Sequence, residues 1–241
     1  MALELIDLMQ GSFSLIYVMI SVVVGSRILS KYFEHKTRDY ILVGITWIGL
    51  ANPWMPDSIS FVLILIINTP LSAELYFIIG NVFIPVILLC WLTAFTDLVY
   101  KNKQKLILGL FLVFGIIFEL LFFYLLLTDI DEIGKFIGPF QVEFGLLIQI
   151  LLISTIVIMF ITGVIFSRES LKSEDKKLKL KGKLLLTAFI SFTLGAILDS
   201  SIGALDPILV ALTRIILISS SIEFYMGFTL PKWVEKLFFE K

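Results

Sequence analysis

LILGLFLVFGIIFELLFFYLLLT, Leu106 to Thr128, carries a single charge, Glu119. At ~1.5 Å per residue, a helix over these residues is long enough to cross a hydrocarbon core about 30 Å thick. Lys101, Lys103 and Lys105 precede it, and Asp129, Asp131 and Glu132 follow. A surface helix of a water-soluble domain would need a polar face, and this segment has none. The rest of the 241 residues has the same character: 59% are hydrophobic, 16% charged, 22 are Phe, and the mean hydropathy is +1.01. The expected fold is an all-α, polytopic membrane helix bundle, a single domain over 1–241, integral to the cell (plasma) membrane.

Working outward, the apolar pattern predicts seven transmembrane helices, over 12–30, 40–66 with a break at 52–57, 74–100, 106–128, 140–166, 184–199 and 207–228. Met1 to Gln10 carries Glu4 and Asp7 but no Lys or Arg, so it lacks the basic start of a cleavable signal, and the first span is expected to be retained. Of the 19 Lys and Arg, all but Lys135 and Arg214 fall on one side of this partition. They group at Arg27 to Arg38, Lys101 to Lys105, Arg168 to Lys183 and Lys232 to Lys241. Short loops rich in Lys and Arg stay in the cytoplasm, which places the N-terminus outside and the C-terminus inside. The opposite side holds Glu4, Asp7, Asp57, Glu74, Asp129, Asp131, Glu132, Glu143, Asp199 and Asp206. An even number of crossings would separate the Lys101 and Lys176 groups.

Asn52-Pro53-Trp54-Met55-Pro56-Asp57 interrupts the second apolar stretch, which resumes at Ile59. Proline removes a backbone donor and disfavours helix in the residue before it. Either one long helix is kinked here, or a short helix over Tyr40 to Leu50 crosses and Ile59 to Ile67 is re-entrant or interfacial. Irregular backbone at membrane depth survives only when buried in protein or lining a wet cavity, so the break is a site candidate if deep. If shallow, it is an outer-interface turn anchored by Trp54. No fixed-period repeat is evident, which argues against transporter folds built by duplication.

Much chemistry is excluded. His35 is the only histidine, so no Ser-His-Asp arrangement, HExxH motif or His-rich metal site exists. GxxxxGK[ST] and GxGxxG are absent, and no lysine lies within a span to serve a Ser-Lys dyad or to hold retinal in the last helix. Cys90 has no partner cysteine. The chain is read as a non-enzyme, with no cofactor, metal or nucleic acid expected.

Ionisable groups inside a span cost about 2.5 to 3.5 kcal/mol on insertion scales and normally face the bundle interior with a partner. Glu119, Arg214 and Glu223 qualify. Glu119 and Arg214 sit at nearly equal depth, roughly 10 to 14 Å below the outer surface at the helical rise, and are expected to pair. Asn81, Gln149, Ser191 and Thr193 fall at similar depth, and Tyr17 and Ser21 on the first span extend this polar layer. Two roles fit: interhelical glue, or a small-ligand site in which Arg214 binds an anionic group and Glu119 is the resting counter-ion. Glu223, near the inner end, is expected to act as a latch with nearby lysines or with Ser219 to Ser221.

The inner segments 167–183 and 230–241 alternate Lys with apolar residues, a pattern suited to anionic headgroups or to a cytoplasmic partner. The N-out seven-helix plan and the ending Phe224-Tyr225-Met226-Gly227-Phe228-Thr229-Leu230-Pro231-Lys232-Trp233 resemble the seven-transmembrane sensory modules that precede prokaryotic (bacterial and archaeal) histidine kinases. The resemblance covers the whole chain as topology and this last segment as sequence, and the chain is expected to act without an output domain of its own. It implies ligand sensing from outside, relayed to a separate cytoplasmic partner. Two other readings stand beside it: a small-molecule or proton-coupled transporter or a transporter's membrane subunit, and an assembly subunit of a membrane complex. A receptor predicts a cavity closed on the inner side, a transporter a cavity open to both sides, and an assembly subunit no cavity.

Overall fold

The structure is a computed structural model that describes residues 3–202 and 207–239. Asp206 and Lys241, both part of the charge pattern, lie outside the described residues. Seven helical segments are long and apolar enough to cross a membrane: Leu5–His35, Asp39–Ile67, Ala73–Leu98, Lys101–Thr128, Leu146–Leu171, Lys176–Ser200 and Pro207–Thr229. The first is α1 (Leu5–His35). The second is two helices in line, α2 (Asp39–Leu50) and α3 (Met55–Ile67), joined by one tight turn over Asn52–Trp54. Both pack along α1, so the break is a kink in one crossing. The third crossing is also broken, where Pro85 ends α4 (Ala73–Asn81) and opens α5 (Ile84–Leu98). Then come α6 (Gln104–Thr128), α7 (Leu146–Leu171), α8 (Lys176–Ile202), α9 (Pro207–Thr229) and a short α10 (Lys232–Phe239).

One expected boundary is wrong. Residues 140–145 do not begin the fifth span; they belong to an antiparallel hairpin of β1 (Gly134–Gly138) and β2 (Gln141–Phe144) that turns over Pro139 and Phe140. Phe136, Ile137, Val142 and Phe144 suit a strand, and Gly138-Pro139 breaks a helix. The register sets Lys135 opposite Glu143, a favourable cross-strand charge pair.

Seven alternating crossings give the molecule a basic end, holding the α1–α2, α5–α6 and α7–α8 connections and α10, and an acidic end, holding the hairpin. At the basic end Asp97 on α5 binds Arg38 of the α1–α2 connection at 2.5 Å, and also Lys101 and Gln104, so one carboxylate ties three segments. Within the bundle α1, α2, α5, α7, α8 and α9 form a closed ring, each touching the next, and the α8–α9 pair is the most extensive. α6 lies outside this ring against α5 and buries only Gly115, Phe118 and Phe122.

The α1–α2 crossing is set by glycine on both sides. A Cβ on Gly44 would sit 2.7 Å from the Gly25 carbonyl oxygen and 2.9 Å from both the nitrogen and the Cβ of Leu29, none of them the far end of a flexible side chain. Gly109, on the open side of α6, has nothing within 4 Å. Gly44→Ala should therefore lose about 1–3 kcal/mol, the usual penalty for overpacking, and Gly109→Ala should lose none. Thermal unfolding of the two variants in one detergent would check this; equal midpoints would remove the close crossing as a determinant.

Candidate functional site

The kink in the second crossing positions the site. Asn52, Trp54 and Asp57 are all buried, so the break is packed within the protein. Asn52 Nδ2 donates to the Ile79 carbonyl at 2.6 Å, fixing the turn against α4, and Ser58 Oγ donates to the Trp54 carbonyl at 2.8 Å as α3 restarts. Held this way, Trp54 projects its indole into the ring, where Tyr17 packs edge-on at 5.0 Å. Trp54 Nε1 donates to Asp199 Oδ2 on α8 at 2.7 Å.

Asp199 is the hub. Its Oδ1 accepts from Thr213 Oγ1 at 3.3 Å and lies 3.3 Å from Arg214 Nε, both on α9. The Arg214 guanidinium carbon also stands 5.5 Å from the centre of the Trp54 ring. The Arg214 side chain is 6% exposed, yet its Nε and Nη1 make no hydrogen bond among the described residues. The ion pair therefore has charge proximity without hydrogen-bond alignment. On the same cavity wall Asp57 Oδ1 accepts from Tyr76 OH at 2.5 Å.

These groups face a cavity of about 500 Å³ at the acidic end of the ring. Its walls are mostly apolar, with Ile87, Leu152, Ile156, Phe192 and Val210 among them. The hairpin forms its roof through Ile137, Phe140, Val142 and Phe144. The roof is held by Phe136 against Tyr76 at 4.9 Å, Phe140 against Phe61 at 6.0 Å, and Gln141 Nε2 donating to Gln10 Oε1 at 3.4 Å. Toward the basic end, buried aromatic rings fill the ring below Phe192: Trp47 stacks on Phe224 at 3.7 Å, and Phe189 packs on Phe224 at 5.6 Å and on Trp91 at 5.3 Å. Thr155 Oγ1, on the α7 wall, is buried without a partner among the described residues.

Of the residues expected from sequence, Arg214 and Gln149 line the cavity, Gln149 also donating to the Phe144 carbonyl at 2.7 Å. Tyr17 stands behind Trp54. The expected Glu119–Arg214 pair does not form: Glu119 is on α6, outside the ring, its carboxylate oxygens lack any partner among the described residues, and Arg214 pairs with Asp199. A depth estimate does not say which way a helix faces. Ser191 and Thr193 are also off the site, because α8 presents Phe192, Ala196, Asp199 and Ser200 to the cavity at helical spacing and those two flank that stripe. Asn81 is buried but donates to the Phe77 carbonyl of its own helix at 3.0 Å. Glu223 accepts from Ser219 Oγ at 2.8 Å, one turn back on α9, so its observed partner is a serine and not a lysine. Ser21, at the same α1–α9 contact, lies 3.3 Å from Ser221 Oγ.

Asp199, Tyr76, Gln10 and Gln141 were missed as site residues. From sequence Asp199 reads only as one of the acidic-side charges, although it lies near the end of the helix that immediately precedes the one bearing Arg214.

No protein-family model matches the chain, and no curated protein or solved structure matches it.

Removing Asp199 leaves the Arg214 charge buried without its counter-ion, at a cost of about 3 kcal/mol. Asp199→Asn should thus unfold well below the parent in a thermal scan, and Asp199→Asn with Arg214→Gln should recover most of the loss. Glu119→Gln should be additive with Arg214→Gln, since the two do not touch. Coupling between Glu119 and Arg214 in this cycle would overturn the assignment.

Proposed function

We propose that this chain is a receptor-like membrane protein that binds a small molecule in the acidic-end cavity and signals to a separate partner at the basic end. The observation that carries this reading is a cavity roofed by the hairpin whose only cation, among the described lining residues, is an under-bonded guanidinium. A buried guanidinium has five donors and no acceptor, so unused Nε and Nη1 atoms call for a ligand that supplies acceptor oxygens. The apolar walls call for a hydrophobic body, and Thr155 offers a second polar contact. The ligand is thus a small, largely apolar molecule carrying an anionic group.

The distribution of Lys and Arg supports the orientation in which the acidic end faces outside and the basic end, with the C-terminus, faces the cytoplasm. Resemblance to prokaryotic sensory modules supports the same direction of signalling. Transport requires a continuous route, and the Trp47, Phe189 and Phe224 packing beneath the cavity weighs against one. Against a purely structural assembly subunit stands the cavity itself. Ligand oxygens at Arg214 compete with Asp199, which also holds Trp54 and Thr213, so occupancy changes the bonding between α3's entry turn, α8 and α9 together.

Native mass spectrometry of the protein in nanodiscs made from its own membranes tests this. The expected result is a stoichiometric small molecule with an acidic group, retained by the parent and by Glu119→Gln and lost from Arg214→Ala. No retained molecule, or one retained equally by Arg214→Ala, would sink the proposal.

A further inference from the structure

The basic end has a depression of its own, about 250 Å³, where α10 folds back on the start of α8. α10 is seated by a small core of Leu180, Leu230 and Val234, with Leu184 and Met226 against it, and by a Lys177–Glu235 ion pair. Lys181 turns the other way and donates Nζ to the Phe228 carbonyl at the end of α9, at 3.3 Å. Two lysines of this run are therefore committed. Lys176, Lys179 and Lys183 line the depression instead, at i, i+3 and i+7 on one face of α8. None of the three has an ion-pair partner among the described residues.

The remaining lining is apolar: Leu180, Phe238 and Phe239. Beside it α10 exposes Trp233 (56%), Leu237 (70%) and Phe238 (54%). A helix with basic and large apolar residues side by side is stable where headgroups meet acyl chains. The location agrees, since the uncharged apolar run of α8 starts at Leu184, directly after Lys183. Three ammonium groups thus sit where the apolar run of α8 begins, over a floor suited to a lipid chain.

We propose that the groove between α8 and α10 binds an anionic phospholipid, with its phosphate among Lys176, Lys179 and Lys183 and an acyl chain against Leu180, Phe238 and Phe239. Net charge decides the selectivity: a zwitterionic headgroup brings its own ammonium toward three others, and an anionic one does not. The bound lipid fastens α10, which is otherwise held by a small core and one exposed ion pair, worth little by itself. This site stands apart from the acidic-end cavity and does not depend on the function proposed for it.

The test is native mass spectrometry of the full chain in neutral detergent, titrated with phosphatidylglycerol or with phosphatidylcholine of the same acyl chains. One phosphatidylglycerol should be retained at least about tenfold more tightly than phosphatidylcholine. K176Q/K179Q/K183Q should reduce it to the phosphatidylcholine level, K176R/K179R/K183R should keep it, and K101Q/K103Q/K105Q, which removes equal charge from another segment of the same end, should leave it unchanged. Should the first variant not run as a monodisperse species, Phe238→Ala with Phe239→Ala, outside the bundle, serves in its place and should weaken retention of both lipids. Equal retention of the two lipids, equal loss in both glutamine triples, or no loss in the groove variant would overturn the proposal. So would a co-purifying polypeptide in place of lipid, displaced by the same groove substitutions, which would make the groove a protein-docking surface.

Discussion

A guanidinium in the acidic-end half of an apolar helix is the constraint around which this bundle is arranged. Arg214 lies two turns inside α9, where an unpaired charge is costly by several kcal/mol. The structure answers with a carboxylate from the preceding helix, the face of an indole and an opening into a mostly apolar cavity. Each answer makes a demand on the chain. Asp199 has to face α9, which the extensive α8–α9 packing secures. Trp54 has to reach the same point from the second crossing, which needs the turn at Asn52-Pro53-Trp54. That turn in turn has to find its own hydrogen bonds, which α4 supplies through the Ile79 carbonyl. Arg214 thus links the irregular backbone of one crossing to the side chains of two others.

The crossings were legible from hydropathy because the bilayer imposes a length and an apolar composition that a sequence shows directly. Leu106 to Thr128 is the plainest case, and its exposure on the outside of the ring follows from the same trait: a helix apolar all round has no stripe to aim at neighbours. The hairpin was not legible at its proper boundary, because Phe140, Val142 and Phe144 lead straight into the apolar run that starts at Leu146, despite Gln141 and Glu143 between them. Strand alternation and Gly138-Pro139 were the signals available, and hydropathy overrode them. The second break, ahead of Pro85, was likewise masked by the hydrophobicity around it.

The site was half legible. Arg214 and the Asn52 to Asp57 break were identified, each for a sound reason, but they were not connected to one another. Glu119 was chosen as the partner of Arg214 on depth, when connectivity was the better guide: two helices joined by few residues pack as antiparallel neighbours, so an acid near the end of one is the natural counter-ion for a base near the start of the next. Tyr76 and Gln10 gave no signal of their own, since a lone Tyr or Gln near a span end is ordinary interface composition.

The α8–α9 pair also connects the two ends. Asp199 and Arg214 close it at the acidic end, Leu217 and Phe224 pack within it, and at the basic end the chain leaves α9 into α10, which rests on Leu180 of α8. In the proposed receptor a ligand anion substitutes for Asp199 at Arg214, and the bonds released are those joining α8 to Trp54 and to Thr213. The aromatic rings beneath the cavity are close-packed and interlocked, so they do not absorb a displacement gradually; they pass it on or they repack. A shift of α8 against α9 therefore arrives at α10, whose seat is small and whose outer face is lysine-rich and apolar. The two proposed sites differ because their charge is placed differently: at one end a single guanidinium sits inside the bundle beneath a roof, and at the other three ammonium groups stand open at its edge.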